Sequence, residues 1–277
     1  MWLLAVAVAW AGTPTWEQAR TLRNDDHYAV PSSEDRLALA ELAADLLRAA
    51  PSGNVPAHAQ DRAVLLGWRL EVEGDRLWLH QPPAEAAGGG LLAVRLGELP
   101  AEVVLQAPHP YYDKHTGRIT GLLFDGGGVR AMMVATAHRD ATPESDASHA
   151  IDSAFQALTL GVAAGTTDPL VVQLHGFSSK TSEADAVVSE GSARLGGSSG
   201  VEEAALMLRG VLGLEDVVDG RDEPALGARR NVQGRALADT TRFLHIELAL
   251  EVREALRGDA DLRDRLRGAL VGLAGAP

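Results

Sequence analysis

Apolar and polar positions alternate along this chain in two rhythms, one helical and one strand-like. Over residues 33–50, SEDRLALAELAADLLRAA, leucine and alanine recur at three- and four-residue intervals behind an acidic start. That spacing predicts an amphipathic helix, stopped by Pro51-Ser52-Gly53. Residues 63–81, AVLLGWRLEVEGDRLWLHQ, alternate apolar with polar about Glu73-Gly74-Asp75, the pattern of a β-hairpin. Gly88-Gly89-Gly90 punctuates the chain before another apolar run, LLAVRLG. From about residue 101, short apolar runs and helical patterns take turns, which is the grammar of an α/β fold. EVVLQAP (102–108), GLLFDGG (121–127), GVRAMMVATAH (128–138) and PLVVQLHGF (169–177) read as strands. SHAIDSAFQALTLGVAAG (148–165) and VEEAALMLRGVLG (201–213) read as helices, and RFLHIELALEVREALRG (242–258) begins as a strand and continues as a helix. Residues 178–200 are dominated by Ser and Gly, with a short strand at Ala186-Val187-Val188, and suit a mobile flap beside a site. The expected fold class is α/β: a mostly parallel or mixed sheet flanked by helices over residues 101–277, preceded by a small α+β portion over 13–100.

Composition and charge narrow the function. A formal charge of −13 leaves no basic surface to offset phosphate repulsion, which argues against a nucleic-acid partner. Nine histidines with no cysteine confine any metal site to nitrogen and oxygen ligands and rule out disulfides. Residues 2–11 of MWLLAVAVAWAGTPT are almost wholly apolar, and Ala9-Trp10-Ala11 is shaped like a signal-peptidase site, although no basic residue precedes the run. Residues 1–12 are therefore read as an export signal, which places the mature chain in the periplasm or outside the cell. Ten apolar residues are too few to span a bilayer, and no other segment reaches that length, so no stable membrane insertion of the mature chain is expected.

The chemistry gathers where strands end. His109 follows VVLQAP, His138 follows MMVATA, and His175 closes VVQL; in FLHIEL, His245 and Glu247 lie two apart and share a strand face. Carboxyl ends of strands in an α/β sheet open into the crevice where ligands bind. Zinc takes about three protein ligands and keeps one position for water, and His109, Asp113 and His175 can supply that set. Glu247, an acid in an otherwise apolar run, is the candidate general base. Arg139 is placed to hold a substrate carboxylate, with His149 and Arg230 as further substrate contacts and Arg229 competing for the same role. His245 and His138 are candidate supports behind the ligands. Several of these residues have a plainer reading. Asp113 fits a turn opening DKHTG, His115 could replace it as ligand, and Asp146 in ESDASH reads first as a helix cap. FDGGGVR precedes a strand and does not open a helix, so a dinucleotide site is unexpected; GFSSK and GGSSG lack the surroundings of a nucleophilic serine.

Taken together, QAPHPYYDKHTG, HRD, SDASHAIDSAFQA, VVQLHGFS and FLHIELALEVRE resemble the zinc-dependent amidohydrolase and carboxypeptidase superfamily, over about 150 residues. That group includes N-formylglutamate amidohydrolases, N-acetylmuramoyl-L-alanine amidases and zinc carboxypeptidases. The resemblance implies zinc held by an early His, an acidic residue and a later strand-end His, with a late glutamate as base; the matching order is His109, Asp113, His175 and Glu247. The chain departs from the carboxypeptidases in spacing its first ligands as His-Pro-Tyr-Tyr-Asp, and from the muramoyl amidases in flanking His109 with Pro108 and Pro110. The implied activity is hydrolysis of an amide or peptide bond, on a small N-acyl amino acid or a cell-wall peptide. A non-catalytic binding module on the same fold and a zinc esterase or deacetylase are the rival expectations.

Overall fold

The computed structural model describes residues 13–83, 86–191, 199–238 and 240–275; the export signal read at 1–12 lies outside the described residues. In chain order the elements are α1 (Thr15–Thr21), α2 (Ser33–Ala49), α3 (Ala59–Leu65), β1 (Arg69–Glu73), β2 (Arg76–His80), β3 (Leu91–Arg95), β4 (Val103–Ala107), α4 (Thr116–Asp125), β5 (Ala131–Val134), α5 (Ala154–Gly165), β6 (Leu170–Gly176), β7 (Ala186–Ser189), α6 (Ser199–Leu212), β8 (Val217–Asp219), α7 (Val232–Leu237), β9 (Arg242–Leu248), α8 (Leu250–Gly258) and α9 (Ala260–Gly275). The strands form one mixed nine-stranded sheet in the order β1-β2-β3-β5-β4-β6-β9-β7-β8, flanked by helices, as the α/β expectation required. Its centre, β5-β4-β6-β9, is parallel, and β1 to β3 extend it antiparallel from β5.

The parallel centre is apolar because helices cover both faces. One face packs Leu105, Val172, Leu174 and Ile246 against α1, α4, α6, α8 and α9. The other packs Val104, Met133, Val171 and Phe243 against α2, α3, α5 and α7. Helices α2 and α5 approach closely because Gly161 and Gly165, one turn apart, face α2. A methyl group at either position would lie 2.2 Å from the Ala40 carbonyl oxygen or 2.4 Å from that of Ala44.

Strand period carries the second face up to the crevice. Two residues beyond Val104 is Gln106; beyond Val171 come Gln173 and His175; beyond Phe243 come His245 and Glu247. The register aligns Gln106 with Gln173, Gln173 with His245, and His175 with Glu247. A polar row therefore sits on the apolar face at the carboxyl ends of the parallel strands.

Several expectations are corrected. GLLFDGG is not a strand: it is the second half of α4, whose Ile119, Leu123 and Phe124 are buried at helical spacing. Parallel β4 and β5 need a crossover between them, and α4 supplies it. The strand read over 128–138 is confined to Ala131–Val134, and His138 lies in the loop beyond it. The helix read from residue 148 starts at Ala154, capped by Ser153, whose side chain accepts from the Gln156 amide. Within 178–200 the short strand expected at Ala186-Val187-Val188 is present as β7, paired between β9 and β8.

Candidate active site

After β4 the chain leaves the sheet at Pro108 and makes a tight turn, with the Tyr112 and Asp113 amides both donating to the His109 carbonyl oxygen. This brings the Asp113 carboxylate back beneath the His109 ring, 3.5 Å from Nδ1. His175 arrives from the end of β6 and sets its own Nδ1 3.0 Å from the same carboxylate oxygen. The two imidazoles meet edge to face, 4.9 Å between centroids. Ligand-capable atoms of His109, Asp113 and His175 all lie within 4.8 Å of one another, and all three residues are buried. The outward nitrogens are occupied: His109 Nε2 donates to Asp146 Oδ1 at 2.8 Å, and His175 Nε2 donates to Gln173 Oε1 at 2.9 Å. Both rings thus turn the same edge toward Asp113. Nitrogen and oxygen donors in this number and arrangement suit a zinc-like cation, with no thiolate needed.

His245 lies against His175, tilted by 35° with 4.5 Å between centroids, and its Nε2 is 3.7 Å from Glu247 Oε1. Its Nδ1 is buried without a hydrogen-bond partner among the described residues. His175, His245 and Glu247 form a second group whose ligand atoms lie within 4.8 Å of one another, sharing His175 with the first. Glu247 lines a cavity of about 330 Å³ together with His109, His175, His245, Arg139, Ser148, His149, Arg229, Arg230 and Asn231. Among the described residues Glu247 has no arginine within ion-pair distance.

The electrostatics separate the groups. Burial resists charge on Asp113, yet the His109 and His175 imidazoles beside it outweigh it and hold the carboxyl well below its ordinary range. Burial also opposes charge on His109, but Asp113 and Asp146 together raise its pKa. His175 and His245 are both lowered, first by burial and then by repulsion from a neighbouring imidazole, so both are neutral. Glu247 is pushed well above the ordinary value, by burial first and by the Asp113 charge second. A carboxyl whose pKa burial has raised and that faces a cavity is equipped for proton transfer.

The structure brings the predicted His109, Asp113, His175, His245 and Glu247 together. Arg139, His149 and Arg230 line the same cavity. His138 stands apart, its ring 5.7 Å from that of Tyr112, and His115 heads α4 outside both ligand-capable groups. Asp146 is not a helix cap. Its carboxylate accepts from His109, from Arg139 and from His149 Nδ1 at 3.0 Å, and the Ser148 hydroxyl donates to it at 2.9 Å. Sequence reading also missed Gln173, Asn231 and Arg253. Gln173 was visible in principle, as the polar residue two before His175 on the same strand face.

No family model matches the chain, and no curated protein does. Among solved structures it is similar to a zinc-free YndL structure, at 14% identity and a TM-score of 0.42, over 67% of this chain and 89% of that one. It is similar to an N-acetylmuramoyl-L-alanine amidase from Clostridium difficile 630, at 9% identity and a TM-score of 0.37, over 62% and 94%. It is also similar to the Legionella pneumophila LapA aminopeptidase, at 11% identity and a TM-score of 0.40, over 91% and 75%.

Proposed function

We propose that the chain is a metal-dependent hydrolase of amide or peptide bonds, with zinc held by His109, Asp113 and His175 and with Glu247 as general base. The observation that carries this reading is the convergence of three buried ligand-capable residues beside a protonatable carboxyl in one cavity. Bound zinc supplies a Lewis acid and a water acidified toward neutrality. Glu247 would take a proton from the attacking water and return it to the leaving nitrogen. Its raised pKa makes it a stronger base than an ordinary carboxylate, which suits taking that proton. His245 is neutral and packed against His175, and it walls the cavity beside the acid without adding charge. Arg230 and Arg229, exposed at the rim, and Arg139 deeper in, favour a substrate that carries carboxylate groups, such as an N-acyl amino acid or a cell-wall peptide.

Metal content and turnover test this reading together. Purified wild type should hold one equivalent of zinc, and the His109→Ala/His175→Ala double variant should hold none. Glu247→Gln should keep the metal and lose turnover of an amide substrate by about 10²- to 10⁴-fold. A double variant that still held a full equivalent would remove the site assignment. Wild type with zinc but no turnover on a panel of amides and esters would leave a binding module.

A further inference from the structure

Behind His175 lies a wholly buried set of amide side chains: Gln106, Gln156, Gln173, Asn231 and Gln233. Amide oxygen and nitrogen ends are interchangeable in shape, so their orientation has to come from fixed donors and acceptors. Backbone groups supply them on three branches. The Thr159 hydroxyl spends its proton on the Phe155 carbonyl oxygen, so it can only accept from Gln106 Nε2, at 3.0 Å. Gln106 Oε1 then faces Gln173 and accepts from its Nε2 at 2.9 Å. On the second branch, the Ala147 carbonyl oxygen can only accept, which fixes Gln233 Nε2 toward it. Gln233 Oε1 is left facing Gln173 Nε2 at 3.3 Å. On the third, the Gly234 amide can only donate, so it fixes Asn231 Oδ1 and turns Asn231 Nδ2 onto Gln173 Oε1. All three branches orient Gln173 alike, with its oxygen toward His175 Nε2.

We infer that Gln173 is a positioning residue that fixes His175 as the Nε2–H tautomer and leaves the Nδ1 lone pair as the metal donor. A carbonyl oxygen that faces Nε2 must receive a proton from it, so the neutral ring carries its lone pair at Nδ1. That lone pair faces Asp113 Oδ2 at 3.0 Å, an acceptor opposed to an acceptor. Such a pair would be stable with both atoms bound to one cation, as the proposed function has it, and the inference rests on that reading. The network sets the ring before any ion arrives, so binding does not have to rearrange a buried imidazole.

Imidazole nitrogen NMR on metal-free, 15N-histidine-labelled full-length chain reads the tautomer directly, at a pH where His175 is neutral. The His175 signals are assigned by their loss in His175→Asn. The expected result is a protonated Nε2 and a pyridine-type Nδ1 in wild type. Gln173→Leu should scramble the two forms and weaken zinc about 10- to 100-fold in competition with a chromophoric chelator. A protonated Nδ1 in wild type would overturn the inference, with no variant needed. So would a Gln173→Leu protein with a wild-type melting curve and wild-type zinc affinity. If wild type binds no zinc, the metal reading fails, while the tautomer measured in the same metal-free sample still decides whether Gln173 sets the ring.

Discussion

The Asp146 carboxylate meets His109 Nε2, Arg139 and His149 at once, with the Ser148 hydroxyl as a further donor. It fixes the orientation of one proposed ligand, and it holds part of an arginine that also lines the cavity. Removing its charge should loosen both. Asp146→Asn is expected to weaken zinc by about 10- to 100-fold, read by chelator competition, with the fold retained. The same residue gives a pH signature. Burial pushes its carboxyl up, but the bonds to His109 and His149 win and hold it well below the usual 3.8. Over the interval beneath that value the unfolded chain binds the proton more readily than the folded one, so stability falls as pH drops. Urea midpoints of metal-free wild type should therefore decline from about pH 4 downward, and Asp146→Asn should flatten the decline. Glu247 has the opposite sign. Its pKa lies above the ordinary carboxyl value, so the acid limb of kcat/KM should lie above pH ~4.5 and vanish with activity in Glu247→Gln. An acid limb at or below that pH would contradict the assigned base.

At the scale of elements, one buried guanidinium joins the three segments that deliver the site. Arg253, on α8, donates to the carbonyl oxygens of Lys114 at 2.6 Å, Phe177 at 2.6 Å and Leu248 at 3.0 Å. These follow Asp113 by one residue, His175 by two and Glu247 by one. Phe177 directly follows β6 and Leu248 ends β9, where the Leu248 carbonyl oxygen also accepts from the Phe177 amide at 3.3 Å. Arg253→Met should leave the Lys114 and Phe177 carbonyls without a donor and cost about 2 kcal/mol or more in urea unfolding, at ~1 kcal/mol or more for each unmet group. Gly176 is the complementary element: a methyl group there would lie 2.4 Å from Arg253 Cζ. Gly176→Ala should displace the guanidinium and lower the melting temperature while leaving every proposed ligand in place. A wild-type melting curve for that variant would show that the strut is dispensable.

For the molecule as a whole, the features legible in the sequence are those set by local period. The alternation in FLHIEL put His245 and Glu247 on one face, and the strand end at VVQLHG marked His175; both stand where the pattern placed them. GLLFDGG misled because a short apolar run between glycines fits strand and buried helix equally, and only the crossover from β4 to β5 decides between them. Asp146 was misread because its partners His109 and Arg139 reach it through folding, 37 and 7 residues away. The same gap between local pattern and assembly bears on residues 13–100, which read in sequence as a small portion that packs against, or leads into, the α/β sheet. Their strand β3 pairs with β5 from Leu91↔Val134 to Val94↔Ala131, and Leu39, Leu42, Leu46 and Leu47 of α2 share a core with α5. A chain beginning at residue 101 would therefore expose the unpaired edge of β5 and the apolar face of α5, Phe155, Leu158 and Val162. An open edge beside an uncovered apolar helix face invites intermolecular pairing. The 101–277 fragment is expected to be aggregated or to melt without a cooperative transition, where the full chain gives one. A soluble monomeric fragment with a sharp melt would show instead that the parallel strands and their helices fold alone, with β1 to β3 as an appendage.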